Sequence, residues 1–390
     1  MVKNSIIWII GLVIAITSGL TAMGAIAKSK APELAIILSP TNGFAAEKIA
    51  SNSIKTAIAG NSGHFPDDVS PKTTEFARSA FIAEPTTPEA IAILALGKTG
   101  SEKDKLMSEA LLLSRRQPLV AAWMIADSGA REDMPALLGH YDTMLRTSSS
   151  AAVVVIPVLA KALANDDFVP SFASLLAKQP PWADQFWRAV VGTPEAVGNA
   201  ARLREMVDRP NENDNVYYDA LLIRALVNNQ QFDAAEALYF HLESQNRGPS
   251  LLKNASFKTE PEYAPIDWQL FSTGEYGAVV TDGKLQLSAI RNSGGLFVRQ
   301  LVNLPAKIVT MDINPGNPIP DNAEIIVSLK CAQTIKDAPQ KIRIPLKRQI
   351  TNLQIDNKIS GCSFYWFDIT GHASGSGDGF DVALDSISLR

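Results

Sequence analysis

The sequence predicts a two-part chain, α-helical first and antiparallel β second, behind one apolar N-terminal segment. Three observations predict it. Lys3 is the only charge ahead of an uncharged run that ends at Ala27. From 71 to 247 apolar residues recur at helical spacing, with alanine and leucine abundant. From Leu251 onward the period switches to two, and short alternating runs are cut by Gly, Pro and Asn clusters. With 390 residues, 46% of them hydrophobic, the chain can bury two ordinary cores beyond a targeting segment. The predicted parts are a membrane anchor or signal segment over 1–27, a helical domain over 28–247 and a β-sandwich over 248–390.

Residues 5–27 are long enough to cross a bilayer at about 1.5 Å of rise per residue. Ala25-Ile26-Ala27 also offers an A-x-A cleavage pattern. The run is long for a signal core, and Gly11, Gly19 and Gly24 are tolerated in membrane helices. The expectation is a single-pass inner-membrane protein with its bulk in the periplasm. The alternative is a secreted periplasmic protein cleaved near Ala27. Either reading exports the remainder.

Helix starts are marked at Thr87-Pro88-Glu89, Ser101-Glu102 and Thr193-Pro194-Glu195, a capping residue ahead of Pro or acids. Two helical hairpins stand out. Asp219–Leu242 turns at Asn228–Gln231, with small residues Ala225 and Ala235 to allow close approach. Ala90–Leu113 has the same outline, with Gly100 in the turn. Short helices joined by tight turns suggest a degenerate tetratricopeptide-like array, a scaffold for a protein partner. The alternative is an irregular helical domain.

In the last third Lys284–Ile290, Ile308–Ile313, Ile325–Leu329 and Gln340–Lys347 alternate. Thr281-Asp282-Gly283, Asn314–Pro318 and Gly375–Gly379 are the turn clusters between strands. Cys331 and Cys362 both lie here, and an even count in an exported chain favours a disulfide between them.

Composition excludes little but points consistently. Lys+Arg is 36 against Asp+Glu 40, a net charge of -4 that gives no electrostatic footprint for nucleic acid. The four histidines, His64, His140, His241 and His372, form no metal motif. Gly97-Lys98-Thr99 imitates a phosphate loop, but its first glycine would fall at Ala92 inside a helix. No G-x-S-x-G nucleophile elbow is present. Asp267, Asp381 and Asp385 are the carboxylates a glycosidase would need, with no sign of pairing. Gly375–Gly379 with Asp378 carries too few acids for calcium. The expectation is a protein without enzymatic activity, metal or cofactor.

Ligand contact is expected from aromatics and cations of the β part. Phe364-Tyr365-Trp366-Phe367 alternates along a strand, so two of the four face outward or into a further layer. Tyr276, Tyr365 and Trp366 are candidate stacking platforms for sugar rings. Lys341 and Arg343, with Lys347, share a strand face that could meet an acidic polymer. Trp268 beside Asp267 is expected in the core.

Two resemblances follow from particular residues. Asn254-Ala255-Ser256-Phe257, Asp267-Trp268, Arg299-Gln300-Leu301 and the final Leu384–Leu389 are similar to the jelly roll of carbohydrate-binding modules. Where several such families hold a structural calcium with an acid after the first Phe, this chain has Lys258. Ser114–Pro118, His140–Arg146 and Gln179–Trp182 resemble tetratricopeptide-like envelope proteins of sphingomonad-type alphaproteobacteria. That resemblance implies a non-catalytic scaffold linked to exopolysaccharide production or export. The implied alternatives are a purely protein–protein adaptor and, last, a glycan-active enzyme.

Overall fold

The structure, a computed structural model, describes residues 2–61, 64–66, 68–207, 212–243, 250–304, 308–333, 342–356, 362–375 and 378–390. Lys341, the expected 247/248 boundary and parts of the turn clusters around 62–67 and 376–377 lie outside the described residues. The chain forms two compact units, Met1–Val155 and Ile156–Arg390.

The first unit is helical: α1 (Val2–Ala27), α2 (Pro32–Leu38), α3 (Gly43–Gly60), α4 (Pro71–Ala83), α5 (Pro88–Leu96), α6 (Gly100–Leu113), α7 (Pro118–Ala130) and α8 (Met134–Thr147). Among the described residues α1 is the helix long and apolar enough to cross a membrane, over Trp8–Ala27. Proline opens α2, α4, α5 and α7, where its missing N–H costs nothing. Asn42 and Ser70 cap α3 and α4 through their side chains. The start of α5 is capped by another helix. Glu47 of α3 accepts from the Glu89 and Ala90 amides at 3.0 and 3.3 Å. The buried Glu89 carboxylate in turn meets Ser51, Lys55 at 3.3 Å and Gln117 at 3.2 Å. Ala50, Ala77, Ala92, Ala95 and Ala110 are fully buried and let the helices approach, while Ile93, Met107 and Leu119 fill the core. The Ala90–Leu113 hairpin is α5–α6, with Gly100 in the left-handed region at φ 57°.

After α9 (Ala152–Ala162), the second unit continues with α10 (Val169–Leu176), α11 (Ala183–Val191), α12 (Val197–Met206), α13 (Glu212–Asn228) and α14 (Phe232–Leu242). The predicted Asp219–Leu242 hairpin lies in α13–α14. Phe172 stacks on Phe186 at 5.3 Å in the helical core. Arg204 of α12 makes a bidentate pair with Asp219 of α13 at 2.9 and 3.0 Å, both side chains buried.

Ten strands form two antiparallel sheets, a jelly-roll sandwich. They are β1 (Gln269–Leu270), β2 (Tyr276–Thr281), β3 (Lys284–Ile290), β4 (Gly294–Asn303), β5 (Ile308–Pro315), β6 (Ala323–Cys331), β7 (Ile342–Leu346), β8 (Ile350–Asp356), β9 (Phe364–Ala373) and β10 (Gly379–Leu389). One sheet has the order β1-β4-β9-β6-β7 and the other β2-β3-β10-β5-β8. Asp282 and Gly283, at φ 50° and 70°, make the two-residue turn between β2 and β3. The inward registers interdigitate Leu285, Leu287, Phe297, Val327, Phe367, Ile369, Val382 and Leu384, with Trp268 beneath Phe257 and Phe367. Cys331 and Cys362 are bridged, tying the end of β6 to the approach to β9 across a separation of 31 residues. Closing a loop of that length restricts the unfolded chain by roughly 3–4 kcal/mol.

The four aromatics at the start of β9 divide as a strand requires. Tyr365 and Phe367 point into the sandwich. Phe364 points outward and is buried by a third layer, Phe232 of α14 at 5.3 Å. Trp366, on the same face, is half-buried beneath the Arg299 guanidinium at 4.9 Å. Tyr365 is therefore removed from the ligand platform expected of it. It is 1% exposed, because its register faces the opposite sheet.

Two stability predictions follow. Replacing Arg204 by Met strands a buried carboxylate and costs about 3–5 kcal/mol, whereas R204M with D219L recovers most of the loss; urea unfolding of the three proteins measures this. Asp267 is buried and accepts from the Trp268 amide at 2.7 Å. Burial pushes its pKa up to about 6, partly offset by backbone hydrogen bonds and reinforced by Glu243 and Glu262. The folded form thus binds a proton more tightly than the unfolded chain, so this residue's contribution makes stability rise as pH falls from above 6 toward 4. The Asp267→Asn variant should be more stable at pH 7 by about 2–3 kcal/mol and should lose that slope in a pH series of denaturant melts. An unchanged slope would assign it to other groups.

Candidate ligand-binding surfaces of the sandwich

The outer register of the β2-β3-β10 sheet is built for contact. Gly277 and Val279 of β2, Ser288 and Ile290 of β3, and Asp381 of β10 share this face, with Asp381 and Gly277 both paired to Ser288. Val279 and Ile290 are 52% and 54% exposed, an apolar floor where the alternation would ordinarily place polar groups.

Two walls turn this floor into a groove of about 610 Å³. The first wall is Ser272–Glu275. The Thr273 hydroxyl accepts from the Glu275 and Tyr276 amides, both at 3.1 Å, and folds the chain back on itself. The Glu275 carbonyl accepts from the Ile290 amide at 2.9 Å and from Ser293 Oγ at 3.0 Å. Gly277 lies so close to Ser272 that a side chain there would push the wall off the sheet. The second wall is Pro320 with Asp378 and Gly379. Asn322 Nδ2 donates to the Gly379 carbonyl at 2.7 Å. Gly379 itself sits at φ 125° against the Ala289 carbonyl, a geometry and a clearance that only glycine offers.

The rim presents oxygen acceptors and hydroxyls: Glu275, Asp378 and Asp381, with Ser272, Thr273 and Ser288, all exposed. Tyr276 belongs to this groove. Its ring packs edge-on against Phe297 at 5.3 Å and is half-buried, with Gly295 leaving room for it. An apolar floor under a rim of acceptors is the arrangement that holds a ligand with both C–H faces and hydroxyl donors.

The outer face of the other sheet carries cations as well as the acids Glu324 and Asp368. Arg299 of β4 makes a bidentate pair with Asp368 of β9 at 2.7 and 3.0 Å while covering Trp366. Lys330 of β6 lies across from Trp366, and Ser328 across from Asp368. Arg343 of β7 is paired to Ser328. Lys330 and Arg343 are exposed. Trp366 and Arg343 therefore share a face, and Tyr276 lies on the opposite sheet from both. These candidates, separate along the sequence, fall on two different sheets.

Asp267 stands apart from both surfaces, in the core beside Trp268. Among the described residues no group of three His, Cys, Asp or Glu is placed to hold a metal ion. Sequence reasoning missed Glu275, Val279, Ser288 and Ile290. The available signal was the pair of aliphatics on the outward register of two adjacent strands, Val279 and Ile290; the sequence reading takes Lys284–Ile290 as ordinary alternation and does not single out Val279.

No family model matches the chain, and no curated protein matches it. Among solved structures the chain is similar to TmCBM61, a carbohydrate-binding module solved in complex with β-1,4-galactotriose. That likeness has 14% identity and a TM-score of 0.26, and covers 37% of this chain and 99% of that one. It is also similar to a chain in the crystal structure of accessory secretory proteins 1, 2 and 3 of Streptococcus pneumoniae, with 12% identity and a TM-score of 0.25, covering 34% of this chain and 99% of that one.

Proposed function

We propose that this is a non-catalytic, membrane-anchored envelope protein, its bulk facing the periplasm, whose sandwich binds a short segment of a neutral glycan. The observation that carries the reading is the groove on the β2-β3-β10 sheet, with an apolar floor of Val279 and Ile290 below Glu275, Asp378 and Asp381. A pyranose ring presents C–H faces to such a floor and hydroxyl protons to such carboxylates, and a hydrogen bond to an ionised acceptor is the stronger kind. Three carboxylates on one rim disfavour an acidic sugar by like-charge repulsion. A role in handling exopolysaccharide belongs to this proposal, with the helical repeats holding a protein partner.

A specific feature favours the adaptor reading as the second choice. In the first unit a groove of about 590 Å³ runs along α4, α5 and α6, floored by Phe81, Ile91, Leu94 and Leu106, with Arg78, Lys98, Asp68 and Glu109 around it. Such a surface suits the apolar face of a partner helix.

Calorimetric titration of the full-length protein in detergent with neutral and acidic oligosaccharides tests the first reading. Saturable binding of a neutral saccharide is expected, weakened about tenfold or more by Asp381→Asn with Glu275→Gln, consistent with the loss of roughly 1.5–3 kcal/mol for a charge-assisted hydrogen bond. The Lys330→Glu, Arg343→Glu protein should bind as the parent does. Binding that instead depends on Lys330 and Arg343, or that selects acidic sugars, would move the site to the other sheet. No binding by a folded protein across the panel would leave the adaptor reading.

A further inference from the structure

The helical array of the first unit has two edges, each formed by alternate loops. Side-chain contacts place one edge beside the end of α1. Gly24 packs against Ser39 and Asn42, and Lys28 Nζ lies 4.4 Å from the Phe44 ring centroid. Gly43 lies against Glu84 and the Ala80 carbonyl, which brings in the α4–α5 loop. Glu47 caps α5, and Gln117 reaches Glu89 at 3.2 Å, which brings in the α6–α7 loop. The α2–α3, α4–α5 and α6–α7 loops thus line the edge where α1 ends.

Six of the exposed large apolar side chains between Lys28 and Ser148 gather on this edge, Leu34, Ile37, Phe44, Ile82, Leu112 and Leu113, with Ile37, Ile82 and Leu112 73–80% exposed, while Phe81 lines the groove along α4, α5 and α6. Each stands within a few residues of one of those three loops. The far edge, at the α5–α6 and α7–α8 loops, instead carries Lys98, Arg131, Glu132 and Asp133. Lys28, Lys30, Arg115 and Arg116 flank the apolar residues, against Glu33 and Glu84.

We infer that this edge of the helical array rests on the bilayer surface from which α1 emerges, its apolar side chains at the level of the acyl boundary and its four cations against anionic headgroups. Continuity with α1 names the occupant: a surface joined to a membrane-crossing helix is held at the lipid by the chain itself. A mixed apolar and basic rim is the composition that interfacial binding requires. The inference rests on the membrane-anchored reading above.

The test uses the full-length protein in vesicles of mixed zwitterionic and anionic phospholipid. An environment-sensitive fluorescent residue replaces, one at a time, Ile14, Ile82, Leu112, Lys98 and Glu132, and lipids carrying a headgroup-level quencher report proximity. Quenching at 82 and 112 should exceed that at 98 and 132 by about threefold or more, and should fall to the far-edge level when Ile37 and Leu113 are both replaced by Asp. Quenching at 14 with equal, weak quenching at the other four positions would overturn the inference and leave the anchor intact. Absence of quenching at 14 as well would overturn the anchored reading, and this inference with it.

Discussion

The constraint that organises the second unit is the need to cover the outward register of β9. A two-layer sandwich buries one face of each strand and leaves the other to water. Here that other face begins with Phe364 and continues beside Leu301, both buried. Only a third layer can bury them, and α14 supplies it through Phe232. Around that contact the polar groups are matched. Glu236 accepts from Asn303 at 3.0 Å and pairs with Lys253 at 3.6 Å, while Lys253 also lies 4.3 Å from the Phe240 ring centroid. Burial lowers the Lys253 pKa, and the nearby Glu236 charge opposes that shift. Gln300, fully buried on the inward register of β4, anchors the Lys253 backbone by exchanging two hydrogen bonds with it. The helices after Ile156 thus share one compact unit with the sandwich for a stated reason: each covers apolar surface that the other exposes.

That coverage also decides where a ligand can reach the sandwich. The sheet containing β9 has one end of its outer face occupied by α14, and its centre is closed by the Arg299–Asp368 pair lying over Trp366. A guanidinium already engaged with a carboxylate and an indole has little left to offer a sugar. The β2-β3-β10 sheet carries no such cover on Val279 and Ile290, and its walls are held by short side chains, Thr273, Ser293 and Asn322, hydrogen-bonded to backbone groups. Pre-formed walls reduce the ordering cost of binding.

Much of this architecture was legible in the sequence. The change from helical spacing to alternation in the last third, the Asp282-Gly283 turn and the α13–α14 hairpin are local signals, and these survive into the structure, although the first strand begins at Gln269 and not at Leu251. The Cys331–Cys362 bridge was legible from compartment and count. Placing Trp268 in the core needed only its setting beside Asp267. The site was less legible, for a topological reason. Trp366, Arg343 and Tyr276 look alike as candidates along the chain, but which sheet a strand joins is set by long-range pairing that no local pattern encodes. Tyr365 and Trp366 are neighbours in sequence with opposite fates, and the one-residue offset that separates them depends on the register with β4 and β6. The walls of the groove come from Ser272–Glu275 and Asp378–Gly379, more than a hundred residues apart, and nothing local announces that they meet.

The distribution of exposed apolar side chains between Lys28 and Ser148 follows a different logic, with Val153 and Val154 at the start of α9 exposed as well. In an array of helical hairpins the two edges are chemically equivalent to a first approximation, since each is a row of loops and helix ends. Exposed aliphatics placed by chance would appear on both. Here the edge carrying Ile37, Ile82 and Leu112 is the one that α1 joins, and the opposite edge is charged. Residues at helix ends are free to be polar at no cost to the core, because the core is built from the alanine-lined faces between helices. Apolar side chains there therefore answer a demand from outside the fold. A partner protein could make that demand at any edge. On the anchored reading proposed above, a bilayer makes it only where α1 ends, and the apolar residues lie at that place.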